Sequence, residues 1–286
     1  MPELPDITIY IEALSDRILN QPLERVRIAS PFFLRSVEPS VASLQGRRVT
    51  GLHRLGKRIV FELEGETFLV LHLMISGRLR WSENAGVRLP GKIGLAACDF
   101  PSGSLLVTEA STRKRASLYA VSGTSGLVEH DPGGIDVAGI GSAALGRALT
   151  GAAHTLKRAL TDPRILSGVG NAYSDEILHA ARLSPFQRTP SLTPAEIKRL
   201  HAAITDSLSH WTRVLREEFA GRFPGPGEIT AFRPGFAVHG KFGRPCPDCG
   251  TQLDLVHTGL PGDEEREHHT MGWNGSLDKV EALYAS

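Results

Sequence analysis

Apolar residues at Ile7, Ile11, Leu14 and Ile18 recur at helical spacing and predict an amphipathic helix from Pro5 to about Leu19. From Leu23 to Trp81 the pattern changes to short apolar runs of strand length. The runs RIVFEL and TFLVLHLMI flank Glu64-Gly65-Glu66, which reads as a hairpin with one buried face. SLLVTEA and ASLYAV supply further strands. A β-sandwich or flattened barrel with the first helix packed on it is therefore expected. Residues 122–153 turn rich in Gly and Ala and read as a linker with a weak helix. Helical signals then dominate. Thr193-Pro194-Ala195-Glu196 combines an N-cap Thr, a Pro at the first helical position and a Glu as capping-box partner. Ile197, Leu200, Ile204, Leu208, Trp211 and Leu215 follow at helical spacing, and Gly221 ends the helix. That stripe is core, not a cofactor box.

These patterns predict an α+β chain in ordered parts. They are a β-sandwich over 1–128, a linker over 129–150, a helical domain over 151–225, a finger-like hairpin over 226–275 and a tail over 276–286. Composition narrows the class. At 286 residues, 41% hydrophobic and 22% charged, the chain can bury one or two cores and is not globally disordered. No run approaches the roughly 18 apolar residues of a membrane helix. The start MPELPDITIYIEALSD lacks a basic region followed by an apolar stretch, which argues against export. Three cysteines, Cys98, Cys246 and Cys249, cannot build a disulfide framework, and a cytoplasmic setting is expected.

Net charge is +1, but its distribution is uneven. Residues 41–61 hold Arg47, Arg48, Arg54, Lys57 and Arg58 and no acid, and residues 110–128 hold Arg113, Lys114 and Arg115 and no acid. Residues 254–286 carry seven acidic and two basic side chains. On charge alone the basic clusters read as a solvated face. They point to a phosphate-tracking groove only where a chemical site lies between them.

Three motifs carry candidate chemistry. The first is Met1-Pro2-Glu3-Leu4-Pro5. Trimming of Met1 before Pro leaves a secondary amine, and an α-amino group titrates at about 7.7–8.0, so a useful neutral fraction exists at physiological pH. Attack on an aldehyde carbon gives a charged iminium directly, an electron sink for β-elimination. Glu3 stands beside it as a candidate proton donor. Taken alone, Pro-Glu before a helix is ordinary, because Glu favours the helix dipole. The second motif is Gly168-Val169-Gly170-Asn171 running to Asp175-Glu176. Two glycines allow close approach to a phosphate, and Asn171 is expected to cap a helix through Ile177 and Ala181. An ordinary helix connection fits the local pattern equally. The third is Cys246-Pro247-Asp248-Cys249, half of a zinc site. His257, His268 and His269 are candidate completing ligands, and a hairpin held by packing without metal is the competing reading.

Together these motifs resemble the formamidopyrimidine-DNA glycosylase/endonuclease VIII family of base-excision repair enzymes, over Pro2 to about Thr251. The resemblance rests on Pro2-Glu3-Leu4-Pro5-Asp6, Arg54-Leu55-Gly56-Lys57-Arg58, His72-Leu73-Met74-Ile75-Ser76-Gly77, the Gly168–Asn171 motif and Ala237-Val238-His239-Gly240-Lys241 into Cys246. It implies a helix–two-turn–helix DNA glycosylase with AP lyase activity on 8-oxoguanine and formamidopyrimidine lesions in duplex DNA. Pro2 would attack C1′, Glu3 would donate a proton, and Lys57 would assist the sugar chemistry. His72, Arg113, Arg115, Lys157, Gly170, Asn171 and Lys241 would face the DNA. Cys246 and Cys249, with His269 and His268, would hold one structural Zn2+. A cytoplasmic monomer, associated with the nucleoid if the source is bacterial, is implied. Four departures stand out. Asp6 replaces a Glu, Met74-Ile75 replaces the Gly-Met of HLGMSG, the basic loop has no Phe wedge, and the second Cys pair is absent. A damage- or structure-binding protein that has lost excision, and a glycosylase for oxidised pyrimidines, are the alternative readings.

Overall fold

A computed structural model of the chain describes residues 1–248 and 250. Its contacts divide into two units. The first comprises residues 1–132 and 209–231, the second 133–208 and the described residues from 232 onward.

In the first unit, α1 spans Leu4–Ile18, one residue earlier than the apolar spacing predicts. Ile7, Tyr10, Leu14 and Ile18 are fully buried along one face, each worth roughly 1.5–3 kcal/mol by area removed from water. Eight strands follow: β1 (Arg25–Ile28), β2 (Val49–Leu55), β3 (Arg58–Leu63), β4 (Thr67–His72), β5 (Gly77–Ser82), β6 (Gly94–Phe100), β7 (Gly103–Glu109) and β8 (Ser117–Ser122). They form two four-stranded sheets, ordered β1-β6-β7-β5 and β2-β3-β4-β8. Each neighbouring pair is antiparallel. A short helix α2 (Gly123–Val128) closes the run.

Strand alternation sorts the side chains. Ile59, Phe61, Leu63, Leu69 and Leu71 point into the main core with the α1 face, while Val60, Phe68, Val70 and Val121 form a second small cluster. Both faces of β3 and β4 are thus apolar, which is why their sequences barely alternate.

The second unit contains β9 (Ile135–Asp136), α3 (Ser142–Thr150), α4 (Leu156–Thr161), β10 (Leu166–Ser167) and α5 (Asn171–Ala181). The long helix α6, Pro194–Phe219, begins here. Its capping box forms as the sequence predicts: Thr193 N–H donates to Glu196 Oε2 at 2.7 Å, and Glu196 N–H to Thr193 Oγ1 at 3.3 Å. Leu200 and Ile204 are fully buried.

This division departs from the one expected. The segment that reads as a linker over 129–150 contains α3 and β9, and β9 pairs in parallel with β10. The C-terminal half of α6 belongs to the first unit because Leu215 and Phe219 join the main core there. Past α6 the described residues form turns and no strand, so the hairpin expected over 226–275 has none in its described part. Cys249, His257, His268 and His269 lie outside the described residues.

Candidate functional site

In the first unit the chemistry gathers at the start of α1. Pro2 is buried, and Glu3 and Asp6 are each 2% exposed. Glu3 is the N-cap, with extended backbone at φ −113°. Its carboxylate accepts from the Asp6 N–H, while Asp6 Oδ2 accepts the Glu3 N–H at 2.9 Å. This reciprocal box locks the Glu3 side chain in one rotamer beside the N-terminus. The shorter Asp6 therefore still reaches its partner.

The amine of Met1, which still precedes Pro2 here, sits below the ordinary α-amino value. Burial is the main cause, and the charges of Glu3, Arg78, Asp6 and Lys57 act on it in turn. Lys57 lies in the turn between β2 and β3, where Gly56 takes φ +62° and its carbonyl accepts from Arg54 Nη1 at 2.9 Å. Burial lowers the Lys57 ammonium, Glu3 opposes that shift, and Arg58 adds to it. The Met1 amine, the Lys57 amine and a fixed carboxylate thus share one electrostatic environment, and both amines hold their protons less tightly than in water.

His72 ends β4 opposite Arg58. Burial, then Arg58 and Lys57, push it down to about 4, so it is neutral at physiological pH and carries one N–H donor. A base depressed on folding costs stability as pH falls from its unfolded value near 6.5 toward 4, because the unfolded chain takes the proton first. Replacing His72 by Asn is expected to flatten the fall in Tm between pH 6.5 and 4. An unchanged slope would contradict the burial of a neutral ring.

The turn after β4 departs from the family pattern in a physical way. Met74 adopts φ +53°, a conformation that favours Gly, and Ile75 is 56% exposed. Gly77 closes the turn, donating to the Leu73 carbonyl at 2.9 Å, and an added Cβ would meet that carbonyl oxygen at 2.2 Å. The basic loop between β7 and β8 is organised by Glu109, which is 1% exposed. Its Oε2 accepts the N–H groups of Arg115 and Ala116 at 2.9 and 3.1 Å. Lys114 folds back onto the Glu109 carbonyl, leaving the Arg113 and Arg115 side chains exposed.

In the second unit, Gly168 takes φ +110°, open to Gly and strained for other residues, and leads into α5. Gly170 is the N-cap, and its carbonyl accepts the Ser174 N–H at 3.1 Å. Asn171, the cap expected from sequence, is instead the first helical residue, with an exposed side chain at the helix start. Lys157 Nζ donates to the Asn171 carbonyl at 2.9 Å and pairs with Asp175.

Residues 237–239 are held by the same helix. Glu176 is 6% exposed and accepts the N–H groups of Ala237, Val238 and His239 at 2.7–2.9 Å. His239 Nδ1 bonds Asp175 Oδ2 at 2.7 Å and its ring stacks on Phe232. Lys241 Nζ donates to the Pro234 carbonyl at 2.9 Å. One turn along α5, His179 Nε2 lies 3.8 Å from Cys246 Sγ and 3.5 Å from Asp248 Oδ2. Sequence reasoning does not single out Asp6, Arg78, Glu109, Glu176 or His179 as site residues. Only Asp6 and Glu176 stand inside recognised motifs.

Among the described residues no helix is long and apolar enough to cross a membrane. Comparison with known proteins adds the family context. Residues 1–114 match the formamidopyrimidine-DNA glycosylase N-terminal domain, and residues 138–215 match the formamidopyrimidine-DNA glycosylase H2TH domain. The formamidopyrimidine-DNA glycosylase of Moorella thermoacetica is 32% identical over 271 residues, covering 90% of this chain and 94% of that one. The enzyme of Thermus thermophilus is 31% identical over 260 residues, covering 89% and 92%. A crystal structure of the Thermus thermophilus protein aligns with a TM-score of 0.71 at 30% identity, covering 87% of this chain and 91% of that one. The Lactococcus lactis enzyme in complex with DNA containing an abasic site aligns at 0.75 and 22% identity, covering 90% and 95%, a likeness of fold.

Proposed function

This chain belongs to the formamidopyrimidine-DNA glycosylase family, and we infer that it removes oxidised bases from duplex DNA and then cleaves the abasic strand, with Pro2 as the nucleophile. The observation that supports the assignment of roles is Pro2, buried next to the Glu3 carboxylate that the capping box fixes. The Pro2 nitrogen, freed of Met1, attacks C1′ of a nucleotide extruded from the duplex. The C1′–base bond breaks, and the base leaves with a proton supplied through Glu3. The C1′–O4′ bond then opens, O4′ taking up the proton that the Pro2 nitrogen sheds, and leaves an iminium at C1′; the iminium withdraws electrons, so loss of a C2′ proton expels the 3′ phosphate. Lys57 supports that step with a charge held close to the sugar, and His72, Arg113 and Arg115 meet the flanking phosphates.

In the second unit, Gly170, Asn171, Lys157 and Lys241 take the phosphate backbone. Support comes from the exposed Asn171 side chain at the N-terminus of α5, where the helix dipole favours an anion. Phosphate contacts position a protein without reading bases. Asn171→Ala is therefore expected to weaken damaged and undamaged duplex by similar factors. Lys241→Ala should also flatten the salt dependence by about one counterion. Loss of lesion preference at constant non-specific affinity would contradict these roles.

Cys246 and Cys249 are assigned one structural Zn2+. Such an ion adds folding free energy to a segment with little core of its own. The test of the catalytic reading is borohydride trapping on a duplex with a single 8-oxoguanine. A covalent complex supports it, and binding without trapping returns the damage-binding alternative.

A further inference from the structure

We propose that Arg58 is a further DNA-phosphate ligand, acting with His72 on one backbone phosphate; this rests on the reading of His72 as a phosphate contact above. The placement follows from strand register. Arg58 of β3 stands directly opposite His72 of β4, and His72 stands opposite Ser117 at the start of β8. Paired residues of antiparallel strands share a face, and so do residues two apart along one strand. Arg58 and His72 therefore lie on the side of Val60 and Val70, away from the main core. The turn that carries Lys57 and the loop that carries Arg113 and Arg115 meet the sheet at this same end. Arg58 thus stands among the side chains already assigned to the flanking phosphates.

The guanidinium itself has an unmade bond. Arg58 is half-buried as a residue, and its Nε is closed to water and makes no hydrogen bond among the described residues. A buried donor left unmade costs free energy, and an arginine fork binds phosphate through two parallel N–H groups. Beside it on this face lies an apolar floor of Val60, Phe68, Val70 and Val121. Tyr119 packs against that floor, with its ring 4.5 Å from the His130 ring. Burial, then the Arg58 charge, lowers both His72 and His130. Burial lowers Arg58 too, and Tyr119 and Asp131 oppose that. A cation with an unmade donor, flanked by a histidine that stays neutral, suits an incoming anion.

The test is a thermodynamic cycle between protein and DNA. Binding of the wild type, Arg58→Gln, Arg58→Lys and His72→Asn is measured on duplexes with a reduced abasic site, which the lyase step cannot cut. In each duplex one phosphate near that site is replaced by an uncharged methylphosphonate. On the unmodified duplex Arg58→Gln is expected to lose about 10-fold in affinity and to flatten the salt dependence by about one counterion. Arg58→Lys keeps the charge and loses the fork, so it should bind more weakly with the salt dependence retained. One methylphosphonate should weaken the wild type by a similar factor and Arg58→Gln hardly at all, and His72→Asn should couple to the same linkage. A linkage that couples to His72→Asn but not to Arg58→Gln overturns the proposal and leaves the reading of His72 standing. Coupling of neither variant to any linkage overturns both. An Arg58→Gln loss that is equal on every duplex, at unchanged salt dependence, marks a structural role and also overturns the proposal.

Discussion

Glu3→Gln is expected to bind lesion-containing duplex at near wild-type affinity while base excision falls by about 10²–10⁴-fold, the usual contribution of a general acid. The substitution separates two functions of one side chain. A Gln oxygen still accepts the Asp6 N–H, so the start of α1 keeps its capping box. The acidic proton is gone. A second effect follows from the charge, since Glu3 raises Lys57 and the Met1 amine, and a terminus trimmed to Pro2 stands next to the same carboxylate. Its neutralisation drops both amines further. Trapping on a preformed abasic site, which needs no base expelled, should therefore persist with its acid limb moved to lower pH. Single-turnover excision and a pH series of trapping measure the two effects. Equal loss on both substrates would remove Glu3 from the proton-donor role.

Pro2→Gly is expected to lower strand cleavage by about 100-fold or more, although an N-terminal amine remains. The difference lies in the covalent product. A secondary amine gives an iminium that carries its charge without taking up a proton. A primary amine gives an imine that must be protonated to become an electron sink. Position 2 is buried, and burial disfavours that protonation. The glycine adduct should thus be mostly neutral and slow to eliminate, with acid pH partly restoring its rate. Gel assays of strand cleavage across pH 5–8 follow this directly, and a pH-independent deficit would argue for a positional cause.

The elements legible in sequence are those with one strong local signal. α1 shows a clear 3.6-residue period, β3 and β4 flank a three-residue turn, and α6 carries a complete capping box. β6 escapes such a reading because Gly94–Phe100 is buried at all seven positions, so Leu95-Ala96-Ala97-Cys98 shows no alternation. The division within α6 is illegible as well, since nothing in the helix marks where Leu215 and Phe219 leave one core for another. The same holds at the site. Pro2, Glu3 and Lys57 stand in recognisable motifs, but Glu176 meets residues 61–63 positions away, and His179 meets Cys246 at 67. Such pairings depend on how the chain returns past the helix. No periodicity records them.

Lys57 supplies the sharpest rival to the central claim, because it is a second amine that burial biases toward the neutral form. Mapping the borohydride-trapped adduct decides between them. The protein is trapped on a duplex with one 8-oxoguanine, digested, and its nucleotide-bearing peptide identified by mass. The account predicts a peptide that begins at Pro2, modified on its terminal nitrogen. An adduct on Lys57, with the N-terminal peptide unmodified, would contradict it.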